Sequence, residues 1–354
     1  MPYCHKCGAK LDENAKFCYV CGTPAAPVST VTPPRASPQP VRKAPFPLAA
    51  IILIAILVFA VAAAFIVLLP FQPVNFQQSN AASAPNVSRL SLTLNADVAN
   101  VNIFFRDLPG NQRAAVNVSA TGSRGIFSSE EPLALTFEER TSNSTLTYTV
   151  GISRTDAFPS LFNVDVVCNV FIDPSVNLVL IVKTDTGQIA IDADREVTIQ
   201  HLSLETTTGS IETNVTEDVV AAGIFSLKTT TGSVRLWWDN AEVSTNVPIT
   251  LTATTGSVEA VINQDRQLSG NVTLDAETTT GGVTFALDIS GDVAAKIEAS
   301  TVLGGVDVEQ TGFSANQAPL QSVNYPANDN LLVNLKTTTG GVQINANYDF
   351  GVRS

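Results

Sequence analysis

Basic residues and imidazoles are scarce in this chain of 354 residues, and so are methionine, tryptophan and cysteine, with one, two and five copies. After residue 70 there are 14 Lys or Arg against 30 Asp or Glu, and His201 is the only histidine. That deficit of cations argues against nucleic acid as a partner, because phosphate binding needs basic patches. An acid surplus of this kind implies a soluble surface that holds cations weakly. Helix signals are also thin beyond residue 85, where Val, Thr, Ile and Leu dominate. Cys168 is the only cysteine there, and within the apolar run VDVVCNVFI it reads as a small buried hydrophobe, not a nucleophile.

What the chain has in abundance is one short phrase. LETTTGSIET from Leu204 returns as LKTTTGSVRL from Leu227, LTATTGSVEA from Leu251, AETTTGGVTF from Ala276 and LKTTTGGVQI from Leu335. Gly187, Gly209, Gly232, Gly256, Gly281, Gly304 and Gly340 are spaced 22, 23, 24, 25, 23 and 36 residues apart. Apolar and polar residues alternate on both sides of each glycine, which means strands with one buried face. The glycine marks a corner between strands, and β-branched threonine suits a strand end, where it can bond along a stack of its own copies. A fixed period of this length predicts a mainly β fold, a single-stranded β-solenoid resembling a parallel β-helix, with coils about 4.8 Å apart. Turn signals at this density also fit a meander or sandwich of hairpins. The constant period of near-identical corners favours the solenoid.

From Leu48 to Leu69 runs LAAIILIAILVFAVAAAFIVLL, 22 residues without a polar side chain. As a helix it would rise about 33 Å, enough to cross a bilayer core, so one transmembrane helix is expected at 48–69. It starts too late and runs too long for a secretory signal ending near Ala82-Ser83-Ala84. Arg35, Arg42 and Lys43 precede it, and no Lys or Arg follows until Arg89. The positive-inside rule then puts the N-terminus in the cytoplasm and the C-terminal domain outside, in a single-pass membrane protein. Residues 23–47, with eight prolines and no acid, read as a semi-rigid linker, and residues 70–86 as a second one.

Cys4, Cys7, Cys18 and Cys21 form two C-x-x-C knuckles in YCHKCGAKLDENAKFCYVCG. Four thiolates brought to one point suit a tetrahedral Zn2+. Gly8 and Gly22 follow the knuckles, where a tight turn frees amides for the sulfurs. So short a stretch has almost no core beyond Leu11 and Phe17, so the metal should supply its folding energy. Two disulfides are the competing reading, disfavoured by the cytoplasmic side, and a redox pair would need a βαβ frame. His5, between the first two ligands, is expected to face water. Residues 1–22 resemble the short zinc-ribbon module found at the N-terminus of many archaeal and bacterial membrane proteins. The resemblance implies a structural metal site and a docking role.

Residues 87–350 are expected to form the extracellular domain. Its alternating strand, Asp173-Pro174 step, second strand and serial T-x-S/T-G-x-V/I corners from Thr184 to Val342 resemble the extracellular domains labelled "putative adhesins", including the adhesin-head type. That resemblance implies surface display. Trp237 and Trp238 are adjacent, so on a strand one indole points inward and the other outward, where it can stack on a sugar or cover a neighbouring coil. The insertion 313–330 is either a recognition loop or a neutral bulge. Asn86, Asn117, Asn143, Asn214 and Asn271 stand in N-x-S/T sequons.

No enzyme is expected. Asp192 and Asp194 share one strand face as an acid pair would, but read as solvated outward groups. The expected function is that of a membrane-anchored surface protein that binds or scaffolds at the envelope, with an envelope or glycan ligand outside and a protein partner for the zinc ribbon inside. The alternative is a single-pass sensor that relays an outer signal through the ribbon. It would need chain association, for which Ala60 and Ala64 offer a small-xxx-small face.

Overall fold

The computed structural model describes residues 3–24, 52–60, 72–124, 133–155 and 161–349. They fall into two units, divided between Leu68 and Leu69. The first contains the cysteine knuckles and a helix at 52–60. The second is built from two sheets, one of eleven strands and one of twelve.

Each corner phrase carries the chain from one sheet to the other. Val197–Thr208 belongs to the twelve-stranded sheet, Gly209 turns the chain, and Ile211–Val215 enters the eleven-stranded sheet. Alternation then sets the faces: in Val283–Ser290, Val283, Phe285, Leu287 and Ile289 are buried and the residues between them are not. The inward faces of both sheets share one core in which Trp238, Phe225, Phe285 and Tyr148 are the bulkiest buried side chains. Trp238 packs edge-to-face on Phe225 at 5.8 Å, and its indole N–H donates to Gln264 Oε1 at 2.9 Å.

The corners stack in register, with Thr206 beside both Thr184 and Thr229, and Thr278 beside both Ala253 and Thr337. The glycines are required twice over. Six have φ between 139° and 149°. A Cβ on Gly256 would also lie 1.8 Å from the Gly232 carbonyl oxygen. The buried threonines do not bond to one another. Four at the corners donate across to the carbonyl of a neighbouring corner glycine, Thr206 to Gly187 at 3.0 Å, Thr229 to Gly209 at 2.9 Å, Thr278 to Gly256 at 2.8 Å and Thr337 to Gly281 at 2.9 Å, whereas Thr184 donates to the Thr186 carbonyl at 3.1 Å. A hydroxyl placed here satisfies a carbonyl where the strand ladder is interrupted, which is why a polar residue occupies an inward position.

This architecture corrects the single-stranded β-solenoid expected from the glycine period. A solenoid lays each coil on the last, so spatial order would follow chain order. Instead both sheets are mixed and out of sequence. Asn100–Phe105 lies between Leu161–Ile172 and Ile189–Ala193, and Val342–Asp349 lies between Val283–Ser290 and Val306–Thr311. Gln72–Ser83 and Leu161–Ile172 flank Gln112–Arg124 antiparallel, and Leu133–Ser142 pairs antiparallel with Thr145–Arg154. The period is thus a rhythm of corners between two sheets.

The expected transmembrane helix is corrected as well. Among the described residues the helix at 52–60 has nine residues, about 13 Å at 1.5 Å per residue, and none is long and apolar enough to cross a membrane. Residues 48–51 and 61–69 of the expected span lie outside the described residues, as do most of the linker at 23–47 and residues 70–71. The insertion after Thr311 folds back on the body: Leu320–Gln321 pairs antiparallel with Ala294–Leu303, Leu320 is buried, and Ser322 Oγ accepts the Ala295 amide at 2.9 Å.

Candidate metal centre and surface groove

The two knuckles are built alike. The Cys4 amide donates to the Ala9 carbonyl at 2.8 Å and the Gly8 amide to the Cys4 carbonyl at 2.8 Å; the second knuckle matches, with Cys18 to Thr23 at 2.9 Å and Gly22 to Cys18 at 2.7 Å. Gly8 and Gly22 take φ of 74° and 67°, closing each turn in the left-handed region. The result brings four ligand sulfurs within 4.8 Å of one another, Cys4 to Cys21 and Cys7 to Cys18 both at 3.6 Å. Ligands of a tetrahedral zinc with Zn–S of about 2.3 Å stand roughly 3.8 Å apart, so the donor set fits. All five cysteines of the chain are free thiols.

Electrostatics favour a cation at this point. A hydrogen bond from the Thr23 hydroxyl, aided by the Thr23 amide, pulls Cys21 down to about 6. The Lys6 amide, then that of Cys7, lowers Cys4. The Ala9 amide also favours the Cys7 thiolate, but the sulfurs of Cys21, Cys18 and Cys4 together with desolvation outweigh it and push Cys7 up to about 12. Thiolates packed this closely cannot all carry charge unless a dication sits among them. Leu11 packs with Cys4 and Cys18 in a small cluster, whereas Phe17, expected in that core, is exposed together with Tyr3, Tyr19 and Val20.

The second candidate lies on the outward face of the eleven-stranded sheet. Register aligns Phe104, Asp192, Asn214 and Trp237 in one row across four neighbouring parallel strands. Asn214 Nδ2 donates to Asp192 Oδ1 at 2.9 Å. These short side chains between two large aromatics leave an open depression of about 440 Å³, lined also by Glu212. Phe104 stacks on Phe171 at 5.7 Å, and the Arg106 guanidinium sits 3.6 Å over the Phe171 ring. Glu212 accepts from Arg235 Nη1 at 3.1 Å, and Glu259 from its Nε at 3.1 Å.

The remaining sequence candidates find distinct places. Trp237 is 37% exposed and Trp238 2%, the inward and outward split expected of neighbours on a strand. Asp192 and Asp194 are both exposed, and Asp192 is tied to Asn214. Cys168 is fully buried, and burial pushes its thiol up to about 12. Of the sequon asparagines, Asn86 and Asn143 are exposed, whereas Asn117, Asn214 and Asn271 are partly buried. Sequence reasoning missed Phe104 and the groove. Phe104 and Trp237 are far apart in the chain, and only strand register makes them partners.

Residues 3–25 match the zinc-ribbon domain family, and the four close sulfurs of Cys4, Cys7, Cys18 and Cys21 could hold a metal ion, consistent with zinc. Among curated proteins no relative matches the chain. Several solved structures are similar to it, two of which follow. One is a "putative cell adhesion protein" from Clostridium sporogenes, 12% identical, with a TM-score of 0.42, covering 77% of this chain and 100% of its own. The other is a "putative adhesin" from Bacteroides fragilis, 8% identical, with a TM-score of 0.29, covering 77% of this chain and 97% of its own. At these scores the likeness says nothing of this chain's ligand.

Proposed function

We propose that this is a cell-surface, adhesin-like protein whose β body binds or scaffolds at the envelope and whose zinc ribbon docks a protein on the cytoplasmic side. The observation that carries the reading is the open groove between Phe104 and Trp237. It is a concave site with a polar floor between two exposed aromatics, bordered by the Glu212, Arg235 and Glu259 ladder. The ribbon leaves Tyr3, Phe17, Tyr19 and Val20 exposed, apolar side chains open to a protein partner.

Antibody labelling of intact cells tests this reading. An epitope placed after Ser354 is expected to be reached without permeabilisation, and one placed before Met1 only after lysis. The reverse pattern, or an inaccessible C-terminal epitope, overturns surface display. Loss of a cytoplasmic pull-down partner on replacing Cys4 and Cys7 by serine supports docking by the ribbon, and unchanged partners refute it.

A further inference from the structure

The groove also says what kind of molecule it takes, and this inference rests on the binding role just proposed. Its lining includes Asp192 and Glu212 and no basic side chain, and the nearby Arg235 is engaged by Glu212 and Glu259, so an anionic polymer would find no cation in the lining to meet its charge. A purely apolar ligand would strand the polar floor of Asp192, Asn214 and Glu212. An extended peptide would need an open sheet edge for main-chain pairing, but each of the four strands is paired on both sides. What remains is a ligand with flat C–H faces for aromatic rings and hydroxyls for amide and carboxylate groups. The two rings lie three strand spacings apart, about 14 Å, so the ligand must be longer than a single sugar ring and run across the strands.

We propose that the groove binds a neutral linear oligosaccharide, with sugar rings on Phe104 and Trp237 and the intervening hydroxyls on Asp192, Asn214 and Glu212. Trp237 is the anchor, since an indole half exposed on a rigid strand loses little freedom when a ring covers it. Asp192 is oriented by Asn214 and keeps its second oxygen available to accept from a hydroxyl.

The test titrates the full-length protein by calorimetry with cellotetraose and with tetra-N-acetylchitotetraose, using tetragalacturonate as the acidic counterpart. At least one neutral tetrasaccharide is expected to bind, roughly tenfold more weakly to Trp237→Ala and close to normally to Trp237→Phe. Unchanged thermal melting of these variants separates a lost contact from a lost fold. The proposal is overturned if neither neutral tetrasaccharide binds, if Trp237→Ala binds as well as the parent, or if tetragalacturonate binds most tightly. Surface labelling reads the wider proposal separately: an exposed body that takes up no sugar sinks the groove alone, and a sugar-binding body that is not exposed sinks surface display alone.

Discussion

Ala253 stands in the corner ladder where its register neighbours Thr229 and Thr278 have threonine, so no hydroxyl reaches the Gly232 carbonyl from that position. Replacing Ala253 by threonine should supply the missing donor. A net hydrogen bond is worth about 1 kcal/mol. The added methyl would bury another ~0.8 kcal/mol, set against the lost rotamer freedom of a side chain already stiff at χ1. Overpacking would cost about 1–3 kcal/mol, but Thr229 and Thr278 are both fully buried in the equivalent place, which shows that the corner accommodates this shape. The expected net gain is about 1 kcal/mol, raising the melting temperature of the β body by roughly 2 °C. The mirror experiment is Thr229→Val, which keeps the shape and leaves the Gly209 carbonyl without its donor, at a cost of about 1–3 kcal/mol. Urea unfolding followed by far-ultraviolet circular dichroism measures both. If Ala253→Thr is no more stable than the parent while Thr229→Val is no less stable, the corner hydroxyls contribute nothing and the explanation of the threonine signature fails.

Gly256→Ala should be far harsher, since its Cβ would meet the Gly232 carbonyl at 1.8 Å in a backbone conformation with φ of 139°. A loss above ~4 kcal/mol is expected, seen as insoluble expression or a collapsed urea midpoint. One zinc per chain should be measured by elemental analysis, and Cys18→Ser should lower it while leaving the β signal of the body unchanged. Cys168 should resist thiol reagents at pH 8 until the chain unfolds. Burial pushes its pKa from the ordinary thiol range up to about 12, so the folded state retains a proton that the unfolded state loses. Stability should therefore fall as pH climbs from about 9 towards 12, and Cys168→Ala should flatten that slope in urea titrations at pH 8 and 10.

Local chemistry was legible where the deciding partners are close in sequence. Cys4, Cys7, Cys18 and Cys21 lie within 18 residues, and their spacing alone pointed to the sulfur cluster that the structure shows. Alternation put one of Trp237 and Trp238 outward and the other inward, without saying which, and Cys168 in the core. Phe17 misled because a hydrophobic residue in a tiny module has little core to enter, and it ended exposed. The sheet order was not legible, because Arg89–Val98 pairs with Asn177–Thr186 and nothing in either segment names the other. The constant glycine period suggested coils laid down in order, but a corner of given geometry says only that the chain changes sheets, not which strand it will join. The threonines were recognised as corner residues and assigned the wrong acceptor, since strand spacing alone does not distinguish a neighbouring hydroxyl from a neighbouring carbonyl.

The position of the final two strands has a consequence for how the molecule is made. Asn330–Thr339 and Val342–Asp349 wedge between strands that precede them in the chain, holding Ala294–Leu303 and Val306–Thr311 on their far side. Val306–Thr311 therefore has no strand to pair with, and Ala294–Leu303 only the two-residue Leu320–Gln321, until translation is nearly complete. The carboxyl-terminal segment acts as a keystone, and a product cut short near residue 329 would leave the end of the body unclosed however well the rest had formed.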